Sequence, residues 1–150
     1  MGMPLDERLG MDLKRVEQEL MAAKHAAVKV AGLTVPQYAA LYVLADNPGM
    51  SGAALARACV VTPQAMTGVL KNLEERGLVE RTPHRWHRNV LETRLTEKGR
   101  AALEKADARA SAIERRVSGE FTPEERDTLR AFLARFAKAI QAEAADQATE

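Results

Sequence analysis

The sequence predicts a mainly α-helical fold that carries one small β-hairpin. Three observations lead there. Apolar residues recur at steps of three and four through most of the chain, the spacing of a buried helix face. Several of these stretches open on Ser or Thr, and three of those have Pro close behind, as helix N-termini do. Just after Gly77 the period drops to two, the alternation of a half-buried strand.

Residues 5–31 read as one long helix. Leu9, Val16, Ala23 and Val30 repeat every seven residues, with Leu13, Leu20 and Ala27 between them, which is a seam of the coiled-coil kind. Gly32 is placed to stop that helix. Thr34 caps a second helix, with Val35-Pro36 following, and Tyr38, Leu41, Tyr42 and Ala45 carry its apolar spacing to about Asp46. Asn47-Pro48-Gly49 is a strong break. Ser51 caps a short third helix over Ala53 to about Ala58. Cys59-Val60-Val61 connects it to a fourth, capped by Thr62 with Pro63 at the first position, where a missing N–H is harmless. Met66, Val69, Leu70 and Leu73 are spaced for one buried face there, and Gly77 ends the helix.

Leu78–Thr82 and Val90–Leu95 read as strands, joined by the polar, turn-prone tip Pro83-His84-Arg85-Trp86-His87-Arg88-Asn89. Thr96 caps the fifth helix, whose Leu103, Ala106, Ala110, Ile113 and Val117 again step by three and four. Thr122-Pro123-Glu124-Glu125 opens the last helix with a capping box, and Leu129, Phe132, Leu133, Phe136 and Ile140 form its stripe. Residues 144–150 are expected to fray. The terminal helices have apolar seams and few other elements to cover them. A bundle within one chain is possible, but a helical homodimer suits them better, with Leu9, Leu13, Val16, Leu129, Phe132 and Phe136 at the seam.

Composition bounds the function. The 150 residues are 46% hydrophobic and 29% charged, an ordinary globular balance. Only 4% are aromatic, so the core is built from Leu, Ala, Val and Met. A single cysteine, Cys59, excludes an intrachain disulfide framework and a multi-cysteine zinc site. The longest apolar run, Ala39–Ala45, is too short to cross a bilayer, and the early acids Asp6 and Glu7 with no apolar core behind them do not read as a signal peptide. The expectation is a soluble cytoplasmic protein with no membrane partner. The formal net charge is +1, but it is unevenly spread: residues 1–50 carry −1, residues 51–100 carry +4 and residues 101–150 carry −2.

That basic middle has the order helix, helix, tight connection, helix, hairpin, which is a winged helix-turn-helix. Such a lobe offers one helix to the major groove and a basic tip to the sugar-phosphate backbone or minor groove of double-stranded DNA. With its apolar face turned inward, the fourth helix presents Gln64, Thr67, Gly68, Lys71 and Asn72. Gln64 can read adenine, Thr67 can meet a thymine methyl or a phosphate, Lys71 supplies charge, and Gly68 adds no bulk against the groove. Thr62 and Pro63 stand at its N-terminus, which favours a phosphate. A plain solvated helix face is the alternative. From Arg81 to Arg94 there are four Arg and one Glu, with His84 and His87, and Arg85 and Arg88 flank Trp86. A merely solvated basic loop would not need that tip.

Four segments carry a resemblance: Ala54-Leu55-Ala56; Val61-Thr62-Pro63-Gln64-Ala65-Met66-Thr67; Leu73-Glu74-Glu75-Arg76-Gly77-Leu78-Val79-Glu80-Arg81; and Leu95-Thr96-Glu97-Lys98-Gly99. In sequence and order they resemble the MarR (multiple antibiotic resistance regulator) family. The resemblance covers nearly the whole chain, as a single domain spanning 1–150 with a reading lobe at 34–95 and dimerisation helices at 5–31 and 97–145. It implies a homodimer bound to a pseudo-palindromic operator, usually a repressor relieved by a small ligand or an oxidant. It places the recognition helix at residues 62–76 and the wing at 82–91. It also implies an effector cleft, for which Met21, Tyr38 and Tyr42 are candidates, with His25 in the first helix as a further one. The sequence departs from the family at the wing, which commonly carries an Asp that steadies the minor-groove Arg. Here the tip has no Asp, so Arg88 would need another partner.

Other chemistry is thin. Cys59 reads either as a thiol sensor beside the recognition helix or as a small core residue. His84 and His87 lack further ligands for a metal. Glu74-Glu75 and Glu124-Glu125 diverge on their helices, and no nucleophile–base pair or phosphate loop is present, so no enzyme and no cofactor are expected. A helical adaptor without specific DNA binding is the alternative to a regulator.

Overall fold

The computed structural model describes residues 2–149. After a short 3-10 turn at Leu5–Glu7, the elements run α1 (Leu9–Lys29), α2 (Val35–Asp46), α3 (Gly52–Ala58), α4 (Pro63–Glu75), β1 (Val79–Pro83), β2 (Leu91–Leu95), α5 (Glu97–Gly119) and α6 (Pro123–Ala148). The chain packs as two compact units, one ending at Ser111 and the other beginning at Ala112.

The first unit holds the core. Leu41 and Leu44 of α2, Leu55 of α3, Met66, Leu70 and Leu73 of α4, Val79 of β1 and Leu103 and Ala106 of α5 are buried in one cluster, with Val28 of α1. At about 25 cal/mol per Å² of apolar surface, burying each Leu stabilises the lobe by roughly 1.5–3 kcal/mol. The helices begin where the sequence places their caps. The hydroxyls of Thr34, Ser51 and Thr62 accept the N–H groups of Gln37, Ala54 and Ala65. Within the second unit, α6 opens on a full capping box, in which Thr122 and Glu125 exchange side-chain and backbone bonds.

β1 and β2 pair antiparallel, with Val79 opposite Leu95, Arg81 opposite Thr93 and Pro83 opposite Leu91. Met50, just before α3, bridges to Thr93 as well: the Thr93 N–H donates to the Met50 carbonyl and the Gly49 N–H to the Thr93 carbonyl. The hairpin is thereby tied to the start of the helix-turn-helix.

One junction joins the reading helix, the hairpin and α5. At the end of α4, Gly77 takes φ +70°, a left-handed conformation that favours glycine, and the Leu78 N–H returns to the Leu73 carbonyl. Thr96 then acts three ways: its N–H donates to the Leu78 carbonyl, its hydroxyl donates to the Gly77 carbonyl at 2.6 Å, and the same hydroxyl accepts the Gly99 N–H at 3.0 Å. Lys98 Nζ adds a bond to the Arg76 carbonyl. Gly99 lies so close to the chain that an added Cβ would fall 1.9 Å from the Leu78 carbonyl oxygen.

Several boundaries differ from the sequence expectation. The first helix is not continuous over 5–31: the chain leaves helical geometry at Arg8 (φ −88°, ψ 92°), and α1 ends at Lys29. Pro4 and Gly10 flank that break and weaken a helix on both sides. Of residues 144–150, expected to fray, Glu150 lies outside the described residues, and the last helix keeps helical geometry past residue 144. It continues through Ala148, since its tail is rich in Ala, Gln and Glu, all good helix formers. Val90 stays outside β2 and closes the tip instead.

Gly99→Ala is expected to destabilise the protein by more than about 3 kcal/mol, because the obstacle is backbone and cannot rotate away. Chemical denaturation of the variant checks this, and a wild-type midpoint would show that the junction can open without cost.

Candidate nucleic-acid interface

The recognition helix α4 is amphipathic as its spacing requires. Met66, Leu70 and Leu73 are buried, while Thr62, Pro63, Gln64, Thr67, Gly68 and Lys71 are exposed. Thr67 spends its hydroxyl proton on the Pro63 carbonyl at 2.9 Å. Gly68 has no internal reason to be glycine, since a Cβ there would meet nothing within 4 Å. Asn72 is exposed with the other outward side chains of α4, and its Oδ1 also accepts the Gln37 amide at 2.8 Å. Gln37 is the residue that sequence reasoning missed. It is buried, completes the α2 capping box through Oε1, and also accepts Arg76 Nη1 at 3.4 Å. It thus braces the reading helix against α2. The Thr34-x-x-Gln37 spacing was a visible signal, but only for the cap.

The connection α3–α4 is tight. Val60 sits at φ +56° and is 90% exposed, an unusual position for a β-branched residue. Cys59, the last residue before it, packs against the core, and burial pushes its thiol pKa up from the ordinary value. A raised pKa leaves less thiolate at neutral pH, which weighs against the sensor reading.

At the wing, Arg85, Trp86, His87 and Arg88 are all exposed, Trp86 to 75%. The Arg85 guanidinium lies over the Trp86 ring at 5.0 Å. His84 turns the other way. Its Nδ1 accepts the backbone N–H groups of Trp86 and His87, and its Nε2 faces Glu92 Oε1 at 3.6 Å. Arg94 holds the other Glu92 oxygen at 2.8 Å. Between wing and helix lies a cleft of about 370 Å³, lined by Ser51, Pro63, Thr67, Leu70, Arg81 and Val90 among others. Arg81 Nε is buried and has no hydrogen-bond partner. The cleft thus brings Arg81 beside Pro63 at the α4 N-terminus, whose free N–H groups and dipole favour a negative charge.

The remaining candidates are dispersed. Leu9, Leu13, Val16 and Met21 are exposed on α1, as is His25. Leu129 and Phe132 are exposed on α6, and Phe136 is half-buried. Tyr38 is half-buried and donates its hydroxyl to Asp107 Oδ1 at 2.6 Å, while Tyr42 is exposed beside it, ring centroids 5.9 Å apart. Among the described residues no group of three or more His, Cys, Asp or Glu is placed to hold a metal, and no single helix is long and apolar enough to cross a membrane.

A helix-turn-helix braced to a basic two-stranded wing defines the class: a winged helix-turn-helix DNA-binding protein. Comparison with known proteins makes the assignment more particular. The MarR family profile matches residues 31–88. The HTH-type transcriptional repressor Rv2887 of Mycobacterium tuberculosis is 40% identical over 128 residues, covering 85% of this chain and 92% of that one. A probable transcriptional regulator from Pseudomonas aeruginosa superposes with a TM-score of 0.78 at 31% identity, covering 89% of this chain and 99% of the other. The structure of Rv2887 in complex with p-aminosalicylic acid matches with a TM-score of 0.64 at 36% identity, over 87% of this chain and 98% of that one. The chain belongs to the MarR family of transcriptional regulators.

Cys59 is expected to alkylate with iodoacetamide more slowly than a free cysteine at neutral pH, with the rate rising as pH passes above the ordinary thiol pKa of about 8.5. Mass spectrometry of timed aliquots measures it. Rapid alkylation at neutral pH would revive the sensor reading.

Proposed function

We propose that this regulator is a sequence-specific repressor which binds a pseudo-palindromic operator as a homodimer and is released by a small-molecule effector. The observation that carries the reading is the shared exposure of α4's polar face and the wing arginines within one basic lobe, residues 34–95. Gln64, Thr67 and Lys71 meet base edges and phosphates in the major groove, and the N-terminus of α4 with Thr62 and Pro63 takes a backbone phosphate. Arg81, Arg85 and Arg88 neutralise the backbone beside it. The exposed apolar seams within 5–31 and 97–145 support pairing of two copies, which sets two half-sites about one DNA turn apart, roughly 34 Å.

Support for an effector comes from relatives. The p-aminosalicylic acid complex of Rv2887 makes aromatic carboxylates the first class to test. Met21, His25, Tyr38 and Tyr42 are the candidate contacts here. An effector acts only through its different affinity for the DNA-competent and DNA-incompetent states. The Tyr38–Asp107 bond between α2 and α5 is one contact such a ligand would perturb.

Footprinting the purified protein on DNA flanking its own coding region tests the core of the proposal. A protected two-fold symmetric site is expected, and no retention on any promoter fragment at low salt would exclude a DNA-binding function. On the protected site, Arg88→Ala is expected to weaken binding broadly and to flatten the salt dependence by about one unit of log–log slope. Gln64→Ala instead is expected to cost about 1–3 kcal/mol at particular bases only. Equal losses on matched and mismatched duplexes for both variants would argue against groove reading by α4.

Gly68→Ala separates stability from function. It is expected to raise stability by about 1 kcal/mol, since glycine is a poor residue in a helix interior, while weakening operator binding. Thermal melting and DNA titration of the same preparation read both. A more stable variant with unchanged affinity would remove Gly68 from the interface.

A further inference from the structure

We propose that His84 is the positioning residue of the wing: its imidazole holds the tip in the turn that presents Arg85 and Arg88 to DNA. The proposal rests on the DNA-binding reading above and adds to it a residue that acts through others instead of touching DNA.

The geometry is specific. His84 Nδ1 accepts the Trp86 N–H at 3.1 Å and the His87 N–H at 3.2 Å. A ring nitrogen that accepts carries no proton, so these bonds select the tautomer with hydrogen on Nε2, the nitrogen that faces Glu92. Glu92 is itself held by Arg94, two residues further along the same strand. The His87 ring stacks on His84 with centroids 5.4 Å apart and planes 26° apart. Around the same turn the His84 N–H donates to the Val90 carbonyl at 2.7 Å, and the Val90 N–H to the His87 carbonyl at 2.8 Å.

Tip amides of this kind are usually taken by a short oxygen acceptor, the Asx or Ser/Thr turn. Residues 83–91 contain no Asp, Glu, Ser or Thr. Asn89 follows both amides in the chain, and the acceptor they take is the imidazole. The consequence is directional. With His84 turned in to a side-chain exposure of 32%, Arg85, Trp86 and Arg88 remain exposed on the tip. Without the acceptor, two backbone N–H groups lose their partner, and the tip pays ordering entropy each time the arginines engage a phosphate.

Two variants of the full chain test this, His84→Asn and His84→Ala. Asn keeps an oxygen that can accept the same amides, and Ala does not. Without DNA, amide hydrogen exchange at Trp86 and His87 is expected to be at least about tenfold faster in His84→Ala than in wild type, and close to wild type in His84→Asn. Titration of a fluorescein-labelled random-sequence duplex at low salt is expected to show about fivefold weaker binding for His84→Ala and near wild-type binding for His84→Asn. In an Arg85→Ala/Arg88→Ala background, His84→Ala is expected to add no further loss. The proposal falls if exchange is unchanged in His84→Ala, if His84→Asn binds as weakly as His84→Ala, or if the His84→Ala loss persists without the two arginines. The second and third outcomes would mean that the imidazole contacts DNA itself. A wild-type protein that fails to bind any duplex would remove the DNA-binding reading, while the exchange measurement would still decide whether His84 holds the tip.

Discussion

The contact between Gly99 and the backbone of Leu78 is the constraint on which the reading lobe depends. It brings the first turn of α5 against the segment that leaves α4 and enters β1. No side chain fits in that gap, and Thr96 fills the space around it with three hydrogen bonds. The end of the reading helix, the start of the wing and the start of α5 are therefore one rigid corner. Displacing α5 at this point must move α4 and the hairpin with it, or break bonds that are individually modest but here shared. For the proposed release by an effector, this corner couples α5 to the reading elements, and the effector would act only by its different affinity for their two states.

The rest of the lobe reinforces this corner from two other sides. Gln37 braces α4 to α2 with one amide group, accepting from Thr34 and Arg76 while donating to Asn72. Met50 and Gly49 tie β2 to the entry of α3. What remains exposed is the polar face of α4 and the tip side chains Arg85, Trp86 and Arg88, part of a basic middle third. The near-neutral total hides this: the middle third of the sequence carries +4 against −1 and −2 in its neighbours. Such a distribution steers the lobe to a polyanion while limiting attraction over the rest of the surface.

Much of this was legible in the residues. The Thr34, Ser51, Thr62 and Thr122 caps, the buried face of α4 and the hairpin all stand where local spacing places them, because capping and periodicity are short-range rules. The failures are also physical. The first helix ran through Arg8 on paper, but apolar spacing does not register how Pro4 and Gly10 weaken a helix end. Asn72 lies on the outward arc that a helical wheel gives it, but its partner, 35 residues away on α2, is not legible from that wheel. His84 looked like one more cationic tip residue, and only the folded turn shows that its ring faces inward. At this tip, which has no Asp, the imidazole accepts the backbone N–H groups of Trp86 and His87.

By itself, then, the sequence determined the order and type of the elements, the basic reading lobe and the MarR resemblance that comparison bears out, because these follow from composition, periodicity and motif. The tertiary structure alone decided which polar side chains are spent inside the lobe and which remain for a partner. Asn72, Gln37 and Thr96, whose partners lie 19 to 39 residues away, are chemically able to do either. The choice depends on which backbone or amide group the fold brings within about 3 Å, a distance set by long-range packing and not by neighbours in the chain.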